Sequence, residues 1–180
     1  MQVTELGLDG VKLILPDVFH DNRGYFIEAY NASRYFEAGM RSIFVQDNRS
    51  RSFRNVIRGL HFQMNPAQAK LVQVTQGEIW DVVVDIRPKS QTFGKWIAES
   101  LSAANYRQLY IPAGFAHGFC AMSDIADIMY KVDSLYTGGG MAIAFDDPEL
   151  AIDWPTKDPI ISVNDSNSMS FADYINMFKN

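Results

Sequence analysis

The stretch Arg58-Gly59-Leu60-His61-Phe62-Gln63, with Lys70 following seven residues after Gln63, sets an imidazole among two cations and an amide inside a strand-like run. An imidazole exchanges a proton near neutral pH, so His61 is the first candidate for acid–base chemistry. A second imidazole follows a tight Pro/Gly turn in Pro112-Ala113-Gly114-Phe115-Ala116-His117-Gly118-Phe119. His117 is either a hydrogen-bond donor to a ligand or a turn histidine bonded to backbone. The last of the three histidines, His20, sits beside the turn residues Asp21 and Asn22 and is read as structural. Tyr130 alternates with Ile128 and Val132, which fits a core aromatic, yet its phenol, with a pKa of about 10, is also able to donate a proton. Asp81 and Asp85 share one face of the run 79–87, opposite Trp80, Val82, Val84 and Ile86. One face is packed, and the other is expected to line a cavity.

Composition narrows what such a site serves. With 180 residues, 47% of them hydrophobic, the chain is long enough for one core, and a single domain over residues 1–180 is expected. A net charge of −5 argues against binding polymeric nucleic acid, which demands a broad basic surface, while a single nucleotide needs only two or three local cations. The lone Cys120, between Phe119 and Ala121, reads as a small buried residue in a reducing interior. No run approaches the length of a membrane span, and Met1-Gln2-Val3-Thr4-Glu5 is not a basic region before an apolar one, so a cytoplasmic protein without a membrane partner is expected.

The elements that must position these residues are mostly strands. Short runs rich in Val, Ile, Phe, Tyr and Trp recur between Gly, Pro, Asn and Asp, the pattern of a sandwich or small barrel. Strands are expected over 11–16, 25–30, 43–47, 56–62, 70–75, 78–87, 96–101, 108–111, 118–121, 127–132 and 141–145. A helix is expected over 32–38, capped by Asn31, stopped by Gly39 and closing one end of the barrel. Residues 165–170 read as polar turns, and 171–179 carry Phe171, Tyr174, Ile175 and Phe178 at helical spacing. Gly138-Gly139-Gly140 reads as a flexible turn between strands.

Pro112-x-Gly114-x-x-His117 resembles the second motif of the cupin superfamily. The first cupin motif differs here: Gln63 stands at the partner position of its His-x-His pair, and Lys70 stands where its metal-ligating Glu belongs. An ammonium repels a cation, so no metal and no other cofactor is expected. The chain further resembles the dTDP-4-dehydrorhamnose 3,5-epimerase family. The likeness lies in Asp21 to Glu28, Gln46-Asp47-Asn48, Val56 to Gln63, Ala69-Lys70-Leu71-Val72, Gly77 to Arg87, Thr92 to Trp96, Ile111 to Phe119, Tyr130-Lys131, and Asp146 to Pro155. It runs in order through most of the chain, and the combination is far more specific than the cupin turn alone.

The resemblance implies an all-β cupin-type jelly roll, or double-stranded β-helix, with a few short helices. It implies an isomerase that takes a dTDP-linked 4-keto-6-deoxy sugar as its partner, inverting C3 and C5 of dTDP-4-dehydro-6-deoxy-D-glucose to give dTDP-4-dehydro-L-rhamnose. C–H bonds beside a ketone are acidic, so such inversion needs a base, an acid on the opposite face and a stabiliser for the enolate. By resemblance His61 is the base, Asp165 its carboxylate, Tyr130 the acid and Lys70 the enolate stabiliser. Asp81 remains the alternative carboxylate for His61, although the resemblance pairs it with His117. Arg23 and Arg58 suit the diphosphate because a guanidinium fork matches its geometry. Phe26, Glu28, Gln46 and Asn48 match family positions that hold the nucleotide, and Tyr136 is expected to stack on or cap that end. The short Thr137-Gly138-Gly139-Gly140-Met141 stretch replaces a longer, more polar loop of the family, and a lid is expected there. The resemblance also implies a homodimer. The rivals are a single-carbon epimerase or ketoisomerase, a sugar-nucleotide binding module without turnover, and a metal-dependent cupin oxygenase.

Overall fold

Short runs of apolar and β-branched residues turn much of this chain into antiparallel strands, and the computed structural model describes residues 1–179 of it. In chain order the elements are β1 (Gln2–Glu5), β2 (Lys12–Leu15), β3 (Val18–Asp21), β4 (Gly24–Ile27), α1 (Ala32–Glu37), β5 (Gln46–Phe53), β6 (Ile57–Gln63) and β7 (Lys70–Gln76). There follow β8 (Glu78–Asp85), β9 (Trp96–Ser102), β10 (Gln108–Ile111), β11 (Phe115–Ala121), β12 (Ile125–Val132), β13 (Gly140–Ala142), α2 (Val163–Ser166) and α3 (Phe171–Asn176). One sheet runs β1-β2-β10-β7-β12-β5, a second runs β13-β6-β11-β8-β9, and β3 and β4 form a separate hairpin. This is the cupin jelly roll: two sheets closed face to face around one interior.

The interior is set by period-two alternation. Val72, Val74, Leu109, Ile111, Ala126 and Ile128 of the first sheet meet Ile79, Val83, Phe115 and Phe119 of the second. The outer face of the second sheet presents Leu60, Phe62, Val82, Val84 and Ile86 to Phe171 and Tyr174 of the C-terminal segment. Fully burying a side chain of this size contributes about 1.5–3 kcal/mol, so each strand face is specified by several such groups. Trp96 and Trp154 donate their indole N–H groups to the carbonyls of Leu150 (3.0 Å) and Phe145 (2.7 Å), which staples the tail to that face.

Three expectations fail for physical reasons. Helix α1 does not close a barrel end: its Tyr35 packs with Ile14, Met40, Leu71 and Tyr110 on the outer face of the first sheet. The strand expected over 43–47 begins only at Gln46: Ile43 and Val45 project into solvent at 79% and 54% exposure, and the Val45 amide bonds to the Val132 carbonyl of β12 at 2.9 Å just ahead of the ladder. Gly140, expected in a flexible turn, is the first residue of β13 and pairs with Gln63, and that strand ends at Ala142 rather than Phe145.

One irregularity matters for the site. Between β6 and β11 the register passes from His117↔His61 to Phe119↔Arg58, so β6 spends three steps against two on β11. The extra residue restores Arg58 and His61 to the same inward face, which plain alternation forbids for positions three apart. Gly59 makes this bulge feasible, since its φ is +131° and a Cβ there would stand 2.5 Å from Gly118 Cα.

Candidate active site

His61 and His117 are direct cross-strand partners on the inner face of the second sheet. His61 Nε2 donates to Asp165 Oδ1 at 2.6 Å, which leaves Nδ1 as the free lone pair. His117 Nε2 donates to both carboxylate oxygens of Asp81, at 3.0 and 2.9 Å, deep in the barrel where Asp81 is wholly buried. Of the two carboxylates left open for His61, Asp165 is thus the one bonded to it.

Asp165 reaches His61 from far along the chain because the tail is strapped at both ends. Ile160 bridges to Val56, and the Met169 amide donates to the Ala142 carbonyl at 3.1 Å. Between these straps the short turn α2 is capped by Ser162, whose hydroxyl accepts from the Asp165 amide at 3.1 Å. The polar turns expected over 165–170 therefore conceal a capped helix end. Ser162-x-x-Asp165 is a capping signal that, read as such, would have placed it.

The facing sheet supplies Lys70 and Tyr130. On β7 and β12 the register pairs Tyr130 with Val72 and Val132 with Lys70, so the phenol and the ammonium are diagonal neighbours on the inward face. His61, Lys70, Tyr130, Tyr136 and Asp165 all line one cavity of about 650 Å³, a size suited to a small organic ligand. Lys70 Nζ donates only a long bond, 3.4 Å, to the His61 carbonyl.

The titration of these groups follows from where they sit. Burial lowers the His61 pKa below its ordinary 6.5; the bond and charge of Asp165 oppose this, and the charges of Lys70 and His117 assist it. Burial likewise pushes the Lys70 ammonium down to about 8, against the attraction of Asp81. The Tyr130 phenol moves upward, because burial disfavours the phenolate more than the nearby Arg58 cation favours it. At neutral pH the arrangement thus offers a neutral imidazole, a largely charged ammonium and a protonated phenol.

The other sequence candidates divide into two groups. Gln46 and Asn48 of β5 lie beside Val132 and Tyr130 in register, with Gln46 Nε2 donating to Asn48 Oδ1 at 2.7 Å. Arg58 donates to Ser52 Oγ and the Arg51 carbonyl, each at 3.0 Å, close enough to act on Tyr130. These flank the cavity without lining it. Arg23, Phe26 and Glu28 are not brought to it: Arg23 pairs with Asp21 on the β3–β4 hairpin, Phe26 is 67% exposed there, and Glu28 pairs with Arg34 at 3.0 Å. Tyr136 lines the same cavity as His61. Cavity residues that the sequence did not single out are Gln68, Ala142, Asn164, Asn167, Ser168 and Met169. The last four flank Asp165 and follow once α2 is recognised.

The residues at the cupin metal positions do not suit a divalent cation. Gln63 turns its amide nitrogen onto the Pro66 carbonyl at 2.8 Å, and Lys70 brings positive charge. Among the described residues no three or more His, Cys, Asp or Glu side chains are grouped to hold a metal ion.

The fold and this cavity define a cupin-type isomerase. The family model for dTDP-4-dehydrorhamnose 3,5-epimerase matches residues 5–173. A dTDP-4-dehydrorhamnose 3,5-epimerase of Pseudomonas aeruginosa is 49% identical over 176 residues, covering 96% of this chain and 97% of that protein. The crystal structure of dTDP-6-deoxy-D-glucose-3,5-epimerase from Legionella pneumophila, in complex with dTDP-4-keto-L-rhamnose, superposes with a TM-score of 0.92 at 42% identity, covering 99% of this chain and 94% of that one. A 4-keto-6-deoxy sugar epimerase from the novobiocin cluster of Streptomyces spheroides gives a TM-score of 0.94 at 39% identity, covering 98% and 90%. The chain belongs to the dTDP-4-dehydrorhamnose 3,5-epimerase family.

Proposed function

We propose that this protein inverts C3 and C5 of dTDP-4-dehydro-6-deoxy-D-glucose to give dTDP-4-dehydro-L-rhamnose. The observation that carries the reading is that His61 and Tyr130 stand on opposite sheets yet line the same cavity, with Lys70 beside the phenol. In each half of the reaction His61 Nδ1 removes the proton from a carbon flanking the C4 ketone. The electron pair moves onto the ketone oxygen, where the Lys70 ammonium stabilises charge that grows as the bond breaks. Tyr130 then returns a proton to the opposite face, and Asp165 supports the imidazolium meanwhile. The enolate chemistry is carried by side chains alone.

The decisive experiment uses deuterium oxide. With dTDP-4-keto-6-deoxyglucose, deuterium should enter C3 and C5; an intact protein that incorporates none would overturn the reading. Tyr130→Phe should lower net inversion while wash-in at C3 persists, because abstraction and return on one face still exchange the proton. Equal loss of both would remove the phenol from the role of acid.

The family resemblance also supports a homodimer. The β3–β4 hairpin exposes Phe19, Tyr25 and Phe26 beside Arg23, and β5 is an unpaired sheet edge next to Gln46 and Asn48. An exposed edge and an exposed aromatic hairpin are complementary liabilities that a second copy would cover, delivering Arg23 and Phe26 to its neighbour's diphosphate end. Sedimentation showing a monomer at working concentration would exclude this arrangement. A cytoplasmic location fits the absence, among the described residues, of any helix long and apolar enough to cross a membrane.

A further inference from the structure

The segment 133–140 contributes Tyr136, its one ring, and Gly140 to the lining of the cavity. The segment is tied down on one flank. Gln68 Nε2 donates to the Ser134 carbonyl at 2.8 Å, and the Ala69 amide donates to the Asp133 carboxylate at 2.7 Å. Gln63 Nε2 donates to the Pro66 carbonyl at 2.8 Å and approaches the Leu135 carbonyl at 3.5 Å. Both glutamines line the cavity, yet their amide nitrogens are directed at backbone carbonyls rather than into its space.

On its far side the segment enters β13 at Gly140, which pairs with Gln63, so the slack lies in the glycines just before it. Side chains are missing at Gly138, Gly139 and Gly140, and a Cβ added at either of the first two would meet nothing within 4 Å. At Gly140 a Cβ would stand 3.0 Å from Tyr136 Cε2, so the ring occupies the space a side chain would otherwise fill. Tyr136 itself is 63% exposed, and its hydroxyl has no protein partner among the described residues. Core packing does not hold this ring; its backbone must.

We propose that Gln68, backed by Gln63, is a positioning residue that acts through Tyr136, holding the backbone of 133–135 so that the ring stays over Gly140 and closes the cavity on the bound sugar. The inference rests on the reading of this cavity as the sugar site. Gly138 and Gly139 give the segment freedom to swing between its anchors, and the two amides bias it toward the closed position. Closure contributes to retention of the substrate more than to proton transfer, since both glutamine amides are engaged with backbone carbonyls.

Gln68→Leu keeps the volume and removes the donor. Losing one such hydrogen bond should raise KM about three- to tenfold, with kcat held within about twofold. Amide hydrogen exchange should quicken in 133–140 and nowhere else. On a Tyr136→Ala background the same substitution should add nothing to KM. Unchanged protection of 133–140 in an active Gln68→Leu enzyme, or a KM effect that multiplies with that of Tyr136→Ala, would overturn the proposal. Gln63→Leu, read by exchange at Leu135, serves if Gln68→Leu does not fold. Deuterium wash-in by the unaltered enzyme is measured first: its failure strikes the functional reading, whereas the protection of 133–140 tests the clamp separately.

Discussion

Two histidines stand side by side on β6 and β11, each donating Nε2–H to an aspartate, and their surroundings could hardly differ more. The His61 side chain is 47% exposed to the cavity and touches one oxygen of Asp165. The His117 side chain is 10% exposed and bridges both oxygens of an Asp81 that is wholly buried. A carboxylate fixes the tautomer in either case, so the dyad alone does not define a base. What separates the two is whether the remaining nitrogen opens onto space that a substrate can enter. The structure makes that difference by placing His61 in the cavity lining, beside the Asp165 that α2 carries, while His117 stays buried outside that lining.

The most severe test of this contrast is His61→Asn, which should lower both turnover and deuterium wash-in about 10²- to 10⁴-fold, the usual range for a general base. A loss below tenfold would mean that another group takes the proton. His117→Ala should act chiefly on the fold: leaving the buried Asp81 without its donor is expected to cost about 3–5 kcal/mol of stability, read by denaturant unfolding. Per folded molecule it should raise KM more than it lowers kcat, and abolition of wash-in by a well-folded variant would erase the distinction between the two histidines.

The gentlest test is the pH profile. His61 must be neutral to accept a proton and its pKa lies below 6.5, so the acid limb of kcat/KM should lie below that value. Lys70 must be charged to stabilise the enolate, and with its pKa near 8 the rate should fall as pH rises through that value. Lys70→Arg keeps the charge to far higher pH and should remove the alkaline limb even where it slows the reaction. An alkaline limb that stays in place in the Lys70→Arg enzyme would assign it to a different group.

Much of the strand framework was readable in advance. Gln108–Ile111 matches its expected bounds, and the strands from β6 to β9 lie within a few residues of theirs, because one packed face imposes period two over long runs. Strands β1 and β3 went unseen: Gln2–Glu5 and Val18–Asp21 are short and largely exposed, so their sequences carry little apolar alternation. Helix α1 was correctly bounded and wrongly placed, since Asn31 and Gly39 report where a helix starts and stops but not which sheet face receives Tyr35. At the site, His61 and Lys70 announced themselves by type and spacing. The bond from His61 to Asp165, 104 residues away, did not.

From sequence alone come the residue chemistry, the alternation that makes sheets, the motifs that carry the family likeness and the absence of a carboxylate at Lys70. Tertiary structure decided the rest: which sheet faces which, that Tyr130 opposes His61 across one cavity, and that Arg23 and Phe26 leave that cavity to point outward. The reason is range. Side-chain alternation and capping are set by neighbours a few residues apart, whereas opposition across a barrel depends on registers and straps that join distant segments only after the core has closed.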